Sequence, residues 1–188
     1  QALNRWHIRA GYTLAHTTVD YPLVLAKGLA AVAAEARQLN EGEGDPARRD
    51  SREGMALAVE AVIAWAERFA DLAEQQGLPE TAARCRRVPR NPARTFAEAM
   101  QAVWFVHAAV GLSELCQSSL SLGRLDQYAL PHFAGAGEAR PFLKALFAKL
   151  NRYGDAACAL NLGGVDAAGC DLYNDLSRLI VDVVEERG

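Results

Sequence analysis

A chain of 188 residues, 51% hydrophobic and 23% charged, is long enough for one domain with its own core and too short for two large ones. A net charge of −3 gives no pull toward nucleic acid or an anionic membrane. The longest apolar run, residues 102–112, is interrupted by His107 and falls short of the roughly 18 residues that span a bilayer.

The first ten residues carry Arg5 and Arg9 but no continuous apolar segment, so no signal peptide is expected there. The chain starts with Gln1 and not Met, which suggests processing or excision from something longer. In "HTTVDY", residues 16–21, His16 stands four positions before Asp20 at a helix start. Two readings stay open. Asp20 caps the helix, with Thr17 and Thr18 as alternative caps. Or His16 faces a pocket at the helix N-terminus, where the dipole favours anions and oxygen ligands. The helix is predicted to run to about Leu39, with Pro22 in its first turn and Leu23, Leu25, Leu29, Val32 and Ala33 as its apolar positions.

"NEGEGDPARRD", residues 40–50, is a turn-rich linker. After it, Met55, Val59, Val62, Ile63, Ala66, Phe69, Ala70 and Ala73 form one stripe of an amphipathic helix ended by Gly77. A short helix over about 79–87 leads into "CRRVPRNPARTF", where Pro89 and Pro92 forbid its continuation. Thr95 and Glu98 are spaced as a capping box for the next helix. From Ala99 to Leu112 only Gln101 and His107 are polar, so that helix should be buried on all sides at the centre of the core.

Pro141 is predicted to start a helix with Phe142, Leu143, Leu146, Phe147, Leu150 and Tyr153 on one stripe, stopped by Gly154. "ALNLGGV", residues 159–165, reads as a strand, and a last helix as running from about Asp171 to Arg187. The fold class is therefore mainly α, a single helical domain over 1–188 with one or two short strands. A lone strand cannot satisfy its own backbone groups, which hints that part of a sheet is missing.

The histidines His7, His16, His107 and His132 show no paired-ligand spacing, so no metal site is expected. His107, on the buried helix, reads as a hydrogen-bonded core histidine. Arg84, Arg86, Arg87, Arg90 and Arg94, interleaved with prolines in an acidic chain, read as a solvated connector and not a nucleic-acid patch. Cys85, Cys116, Cys158 and Cys170 make no CxxC pair and suit reduced thiols in a cytoplasm, with Cys158 and Cys170 as small buried residues. "GGVD", residues 163–166, lacks the rest of a phosphate loop and is a turn.

Taken in order, "HTTVDYPLVLAKGL", "ALAVEAVIAWAERFADLAEQ", "CRRVPRNPARTFAEAMQAVWFVH", "SLSLGRLDQYALPHF" and "LNLGGVDAAGCDLYNDLSRLI" resemble glycyl radical enzymes over nearly the whole chain. The branch is the pyruvate formate-lyase-like one, with its glycerol, propanediol and choline lyases. The resemblance implies part of a ten-stranded α/β barrel wrapped in helices, and anaerobic metabolism. It implies a glycyl radical in an R-V-x-G-Y loop and a thiyl cysteine in a G-C-V-E-type loop; neither sequence occurs in these 188 residues. His16 matches a histidine that contacts substrate oxygen, although Ala15 replaces the usual preceding glycine. Ser118 and Ser119 stand where the family has a His-Ser pair lining the pocket; Ser118 departs from the histidine and Ser119 keeps the hydroxyl. The stretch between Leu130 and Asn161 is shorter than in the family.

The S-x-GR-x-DQY block beside the pocket is largely structural by the same resemblance, which makes Arg124, Asp126 and Gln127 structural polar residues. Arg124 and Asp126 are spaced for charge-assisted bonds to neighbouring backbone. Losing one member of a buried pair costs about 3–5 kcal/mol, so Arg124→Ala is expected to unfold the domain before it changes ligand affinity.

Three functional readings follow. The first is a non-catalytic, substrate-side helical module or fragment of a lyase, with no cofactor in this chain. Such a module takes a small polar substrate, no nucleic acid and no membrane, and is either a homo-oligomer or the remainder of a larger enzyme. The second is a small lyase or dehydratase in which His16 is the general acid/base, Asp20 orients it and Ser119 holds substrate oxygen. A thiol-based redox sensor is the third.

Overall fold

In the computed structural model, which describes residues 18–112, 120–153 and 159–186, the chain is built from helices. In order these are α1 (Tyr21–Lys27), α2 (Leu29–Gln38), α3 (Pro46–Gln75), α4 (Pro79–Arg87), α5 (Phe96–Leu112), α6 (Leu125–Tyr128), a 3-10 turn (Leu130–His132), α7 (Ala136–Tyr153) and α8 (Asp175–Glu185). Of Arg152 and Tyr153 only the backbone is described, and Gly154, the predicted stop of α7, lies outside the described residues.

Asp20 opens α1 as a cap. Its Oδ1 accepts from Leu23 N–H at 3.0 Å, and Pro22 in the first turn loses no bond. The predicted single helix to Leu39 is instead two, broken at Gly28, whose φ of 77° leaves the helical region. The periodicity runs straight through the break because α2 continues with apolar residues of its own. The freed N–H groups of α2 find carbonyls in the 88–93 loop: Leu29 N donates to Pro89 O at 2.8 Å and Ala30 N to Arg90 O at 3.0 Å. In return Ala93 N donates to Leu25 O at 3.0 Å.

The linker is shorter than its composition suggests. Asp45 accepts from Ala47 N at 2.9 Å and Pro46 starts α3, so "PARRD" is already helix. Ala56, Ile63, Ala66, Ala70 and Ala73 are the buried positions of α3, which packs on α2 and α4. Gly77 takes the left-handed conformation expected of it (φ 72°). At the next helix, Glu98 N donates to Thr95 Oγ1 at 3.2 Å, and the Glu98 carboxylate reaches back to Arg94 N at 2.7 Å, one residue earlier than a capping box requires.

Helix α5 lies at the centre, touching α1, α3, α4 and α7. Its residues Phe96, Ala99, Met100, Ala102, Val103, Phe105, Val106 and His107 are buried, whereas Leu112 in the last turn is 71% exposed. The buried Tyr21 hydroxyl and His107 Nδ1 are 2.9 Å apart, which ties α1 to α5 and makes His107 a hydrogen-bonded core residue. Tyr21→Phe is expected to cost about 1 kcal/mol by removing that buried hydrogen bond, read as a lower Tm at unchanged far-UV circular dichroism.

Helix α7 begins at Ala136, five residues before Pro141, which sits inside it. The bond that Pro141 cannot make would have gone to Gly137, an exposed residue of the first turn. Leu143, Leu146, Phe147 and Leu150 are buried as predicted. Helix α8 starts at Asp175 and not Asp171, because Asn174 and Ser177 form a reciprocal cap: Asn174 Oδ1 accepts from Ser177 N at 3.1 Å, and Ser177 Oγ accepts from Asn174 N at 3.0 Å. Leu172, expected on its stripe, therefore precedes it.

No strand forms among the described residues, which corrects the expected one or two. Residues 159–165 make isolated bridges only: Leu160 pairs parallel with Gly123, and Val165 antiparallel with Asp171. A third bridge, parallel, joins Thr18 to Ser121. The alternation in "ALNLGGV" is met by side chains packing on the core, Leu160 and Leu162 among them, without a ladder beside it. Cys170 is exposed, against the expectation of a buried residue, because it closes the tight turn in which Asp166 N donates to Cys170 O at 3.0 Å.

Candidate functional site

The polar stretch "SLSLGRLDQY" lies against "LNLGGV" and the start of α8. Leu122 N donates to Ala159 O at 2.9 Å and Asn161 N to Gly123 O at 3.0 Å, which sets the two segments parallel. Thr18 lies on the other side, so three extended pieces run side by side. Gly123 (φ 63°) is required there: a Cβ would meet Thr18 Cγ2 at 2.9 Å.

Arg124 and Asp126 do not pair with each other in this structure. They hold Gly163 from its two sides, through the peptide units that flank its Cα. Arg124 Nη2 donates to the carbonyl of Gly163, while Asp126 Oδ2 accepts from Gly163 N–H at 2.7 Å. The same Oδ2 accepts from Ser177 Oγ at 2.6 Å and Gln127 Nε2 at 2.9 Å. Gln127 Nε2 also donates to Leu172 O at 2.9 Å, and Asn174 Nδ2 to Asp126 O at 3.3 Å. Asp126 is fully buried, and its Oδ1 has no hydrogen-bond partner. Arg124 is exposed, so the buried-pair cost expected for Arg124→Ala belongs to Asp126 instead. Tyr128 adds a further tie, donating its hydroxyl to Leu122 O at 3.0 Å while stacking on Tyr21 with ring centroids 5.5 Å apart.

His16, Ser118 and Ser119, the expected substrate contacts, lie outside the described residues. Asp20 is exposed and engaged as a cap. Gly163, Asn174 and Ser177 belong to the clamp and were not singled out from the sequence. The signal for the last two was present in "NDLS", a cap pattern masked by placing the helix start at Asp171.

The arginine connector is made of ion pairs and packing. Arg86 reaches Asp71 at 3.0 Å and also Glu74, Arg87 reaches Glu98 at 3.2 Å, Arg90 reaches Glu67 at 2.6 Å, and Arg84 lies 5.1 Å from the Phe142 ring centroid. Bonds to Glu74 and Asp71 hold the Arg86 guanidinium above its ordinary pKa. Burial pushes the Cys85 thiol up, against reactivity as a nucleophile. A hollow of about 330 Å³ between α2 and α3 is walled by Ala30, Ala33, Ile63 and the paired Arg37, Glu60, Glu67 and Arg90; it shares no residue with the Gly163 clamp. No group of three potential metal ligands occurs among the described residues, and no helix there is long and apolar enough to cross a membrane.

The family model described as pyruvate formate lyase-like matches residues 7–187, and the chain belongs to that family. A glycyl radical enzyme from Archaeoglobus fulgidus superposes with a TM-score of 0.83 at 28% identity, over 92% of this chain and 27% of that one. The isethionate sulfite-lyase of Oleidesulfovibrio alaskensis is 29% identical over 202 aligned positions, covering 86% of this chain and 24% of that protein. The trans-4-hydroxy-L-proline dehydratase of Clostridioides difficile is 29% identical over 169 positions, covering 71% and 21%. The chain thus spans about a quarter of the length of the relatives it matches.

Proposed function

We propose that this chain is a single substrate-side helical module of the glycyl radical enzyme architecture, one that does not run radical chemistry by itself. The observation that carries the reading is the clamp on Gly163. Asp126 and Arg124 fix Gly163 through its N–H and its carbonyl, beside the 121–123 segment that bridges Thr18 and Leu160. By the family resemblance His16 and Ser119 are the substrate contacts, and an imidazole and a hydroxyl suit a small hydroxylated substrate, the type named for relatives that act on isethionate and trans-4-hydroxy-L-proline. Arg124, Asp126 and Gln127 hold the array and do not touch substrate.

A second reading keeps chemistry in the chain: His16 as general acid/base with Asp20 and Ser119, in a small lyase or dehydratase. The relatives' names favour elimination, and an imidazole with pKa about 6.5 suits proton transfer at neutral pH. Asp20 is already committed to Leu23 N–H, which supports the first reading.

The deciding experiment incubates the chain alone, without oxygen, with isethionate, trans-4-hydroxy-L-proline, glycerol and 1,2-propanediol in turn. Electron paramagnetic resonance reads an organic radical and mass spectrometry reads product. Neither signal is expected. Product without a radical, abolished by His16→Ala at unchanged Tm, would establish the second reading. A substrate-dependent radical on this polypeptide would overturn both.

A further inference from the structure

Helix α5 carries two polar residues in its apolar run, and the core accounts for one of them. His107 bonds to Tyr21. Gln101 is partly buried, and its side-chain amide makes no hydrogen bond among the described residues. It shares a face of α5 with Ala97 and Trp104, at helical spacing, and that face meets Phe142, Leu146 and Lys149 of α7. Between the two helices lies a hollow of about 50 Å³, several times the space that one water needs. Gln101 and Lys149 are the polar residues in its wall; the rest of the wall is apolar. It shares no residue with the Gly163 clamp.

Lys149 differs from the other lysines of the chain. Lys27 pairs with Glu35 and Lys144 with Glu186, each at 2.6 Å. Lys149 pairs with no carboxylate among the described residues; its Nζ stands 5.0 Å from the centroid of the Trp104 ring. The residue as a whole is exposed. The shielding of its amine from water pushes its pKa below the ordinary lysine value, against a smaller opposing pull from Cys85. An amine that is partly neutral at the mouth of an apolar hollow is a nucleophile.

We propose that Lys149 captures a short aliphatic aldehyde, its alkyl chain in the hollow between α5 and α7 and its oxygen held by the Gln101 amide. The amine nitrogen adds to the carbonyl carbon while one amine proton passes to the oxygen, giving a carbinolamine. The hydroxyl then leaves as water with the second amine proton, and an imine remains. No oxidant or reductant takes part, and water reverses the capture. The Gln101 N–H groups donate to the oxygen as negative charge develops on it. The wall selects this class of ligand. Lys149 is its one charged residue, so a phosphate or a carboxylate would find a single partner, whereas a short alkyl chain ending in a carbonyl matches the apolar wall, the amide and the amine together.

The test treats the chain with propanal and cyanoborohydride, which adds hydride to the imine carbon and fixes the adduct, and maps the propylated lysines by peptide mass spectrometry. Lys149 is expected to react about tenfold faster than Lys27 and Lys144, as a desolvated amine does. The bulky 2,2-dimethylpropanal should label all three lysines alike. Ala97→Leu narrows the hollow and Gln101→Met removes the amide at similar volume. Each should bring Lys149 down to the propanal rate of the other two lysines at unchanged Tm. If either variant fails to fold, the comparison of the two aldehydes on the parent chain decides. Equal labelling of the three lysines by propanal overturns the proposal. A Lys149 preference that persists with the bulky aldehyde, or that survives both folded variants, also overturns it, because it would report an unpaired amine with no site beside it.

Discussion

Asp126→Ala is expected to destabilise the fold by about 4 kcal/mol, because three donors lose one charged acceptor inside the protein. Gly163 N–H, Ser177 Oγ and Gln127 Nε2 all converge on Oδ2, and the aspartate is fully buried, so no water replaces it without opening the structure. At about 2–4 °C per kcal/mol for a chain of this size, Tm falls by about 8–16 °C. Asp126→Asn separates charge from geometry. Its oxygen can still accept at the Oδ2 position, and its amide lands where Oδ1 already has no partner, so about half the loss is expected. Ser177→Ala removes one donor to Asp126 and the acceptor of Asn174 N–H in the α8 cap, and should cost about 2 kcal/mol. Arg124→Ala removes a part-buried bond from an otherwise exposed side chain to Gly163 O and should cost about 1 kcal/mol. The order Asp126, Ser177, Arg124 in thermal melts is the result to check. Arg124→Ala as the most damaging of the three would mean that the guanidinium, not the carboxylate, holds the array.

The same residues show what the sequence could and could not convey. Sequence reading located α3 by the periodicity of its apolar stripe and α5 by an almost unbroken apolar run behind a capping pattern. It also located Asp20, whose cap is a local bond three residues long. It missed the break at Gly28, since the cause lies some 60 positions away in the backbone of Arg90 and Asn91. It turned residues 159–165 into a strand because alternation reports burial, and burial here comes from the helical core and not from ladder neighbours. It recognised Arg124 and Asp126 as polar groups with a structural task through the family block, but not that both act on one glycine. That convergence spans 37 residues for Asp126 and 39 for Arg124, and no local rule encodes it. Ser177 illustrates the cost of one wrong boundary: once the last helix is started at Asp171, Asn174 and Ser177 look like interior residues and their cap is invisible.

Gly28→Ala is expected to match Asp126→Ala in effect, through backbone instead of charge. Gly28 has φ 77° and ψ 156°, a combination that residues with a Cβ essentially never adopt. Strain of that kind costs about 1–3 kcal/mol. A second cost adds to it. The new Cβ would stand 2.4 Å from Arg90 O and 2.5 Å from the Asn91 carbonyl carbon, and backbone atoms cannot swing away as a side-chain tip does. Relief requires the 88–93 loop to retreat, which breaks the bonds from Leu29 N to Pro89 O and Ala30 N to Arg90 O and uncaps α2. Together about 4 kcal/mol is expected, a fall of about 8–16 °C in Tm. Gly77→Ala supplies the internal comparison. Gly77 also has positive φ, 72°, but nothing lies within 4 Å of a Cβ there, so only the conformational cost of about 1–2 kcal/mol applies. Hydrogen exchange locates the damage. The Leu29 and Ala30 amides should lose protection in Gly28→Ala and keep it in Gly77→Ala. Equal melts for the two alanine variants would mean that the α1–α2 junction does not rest on the proline loop, and that α5 receives α1 by side-chain packing alone.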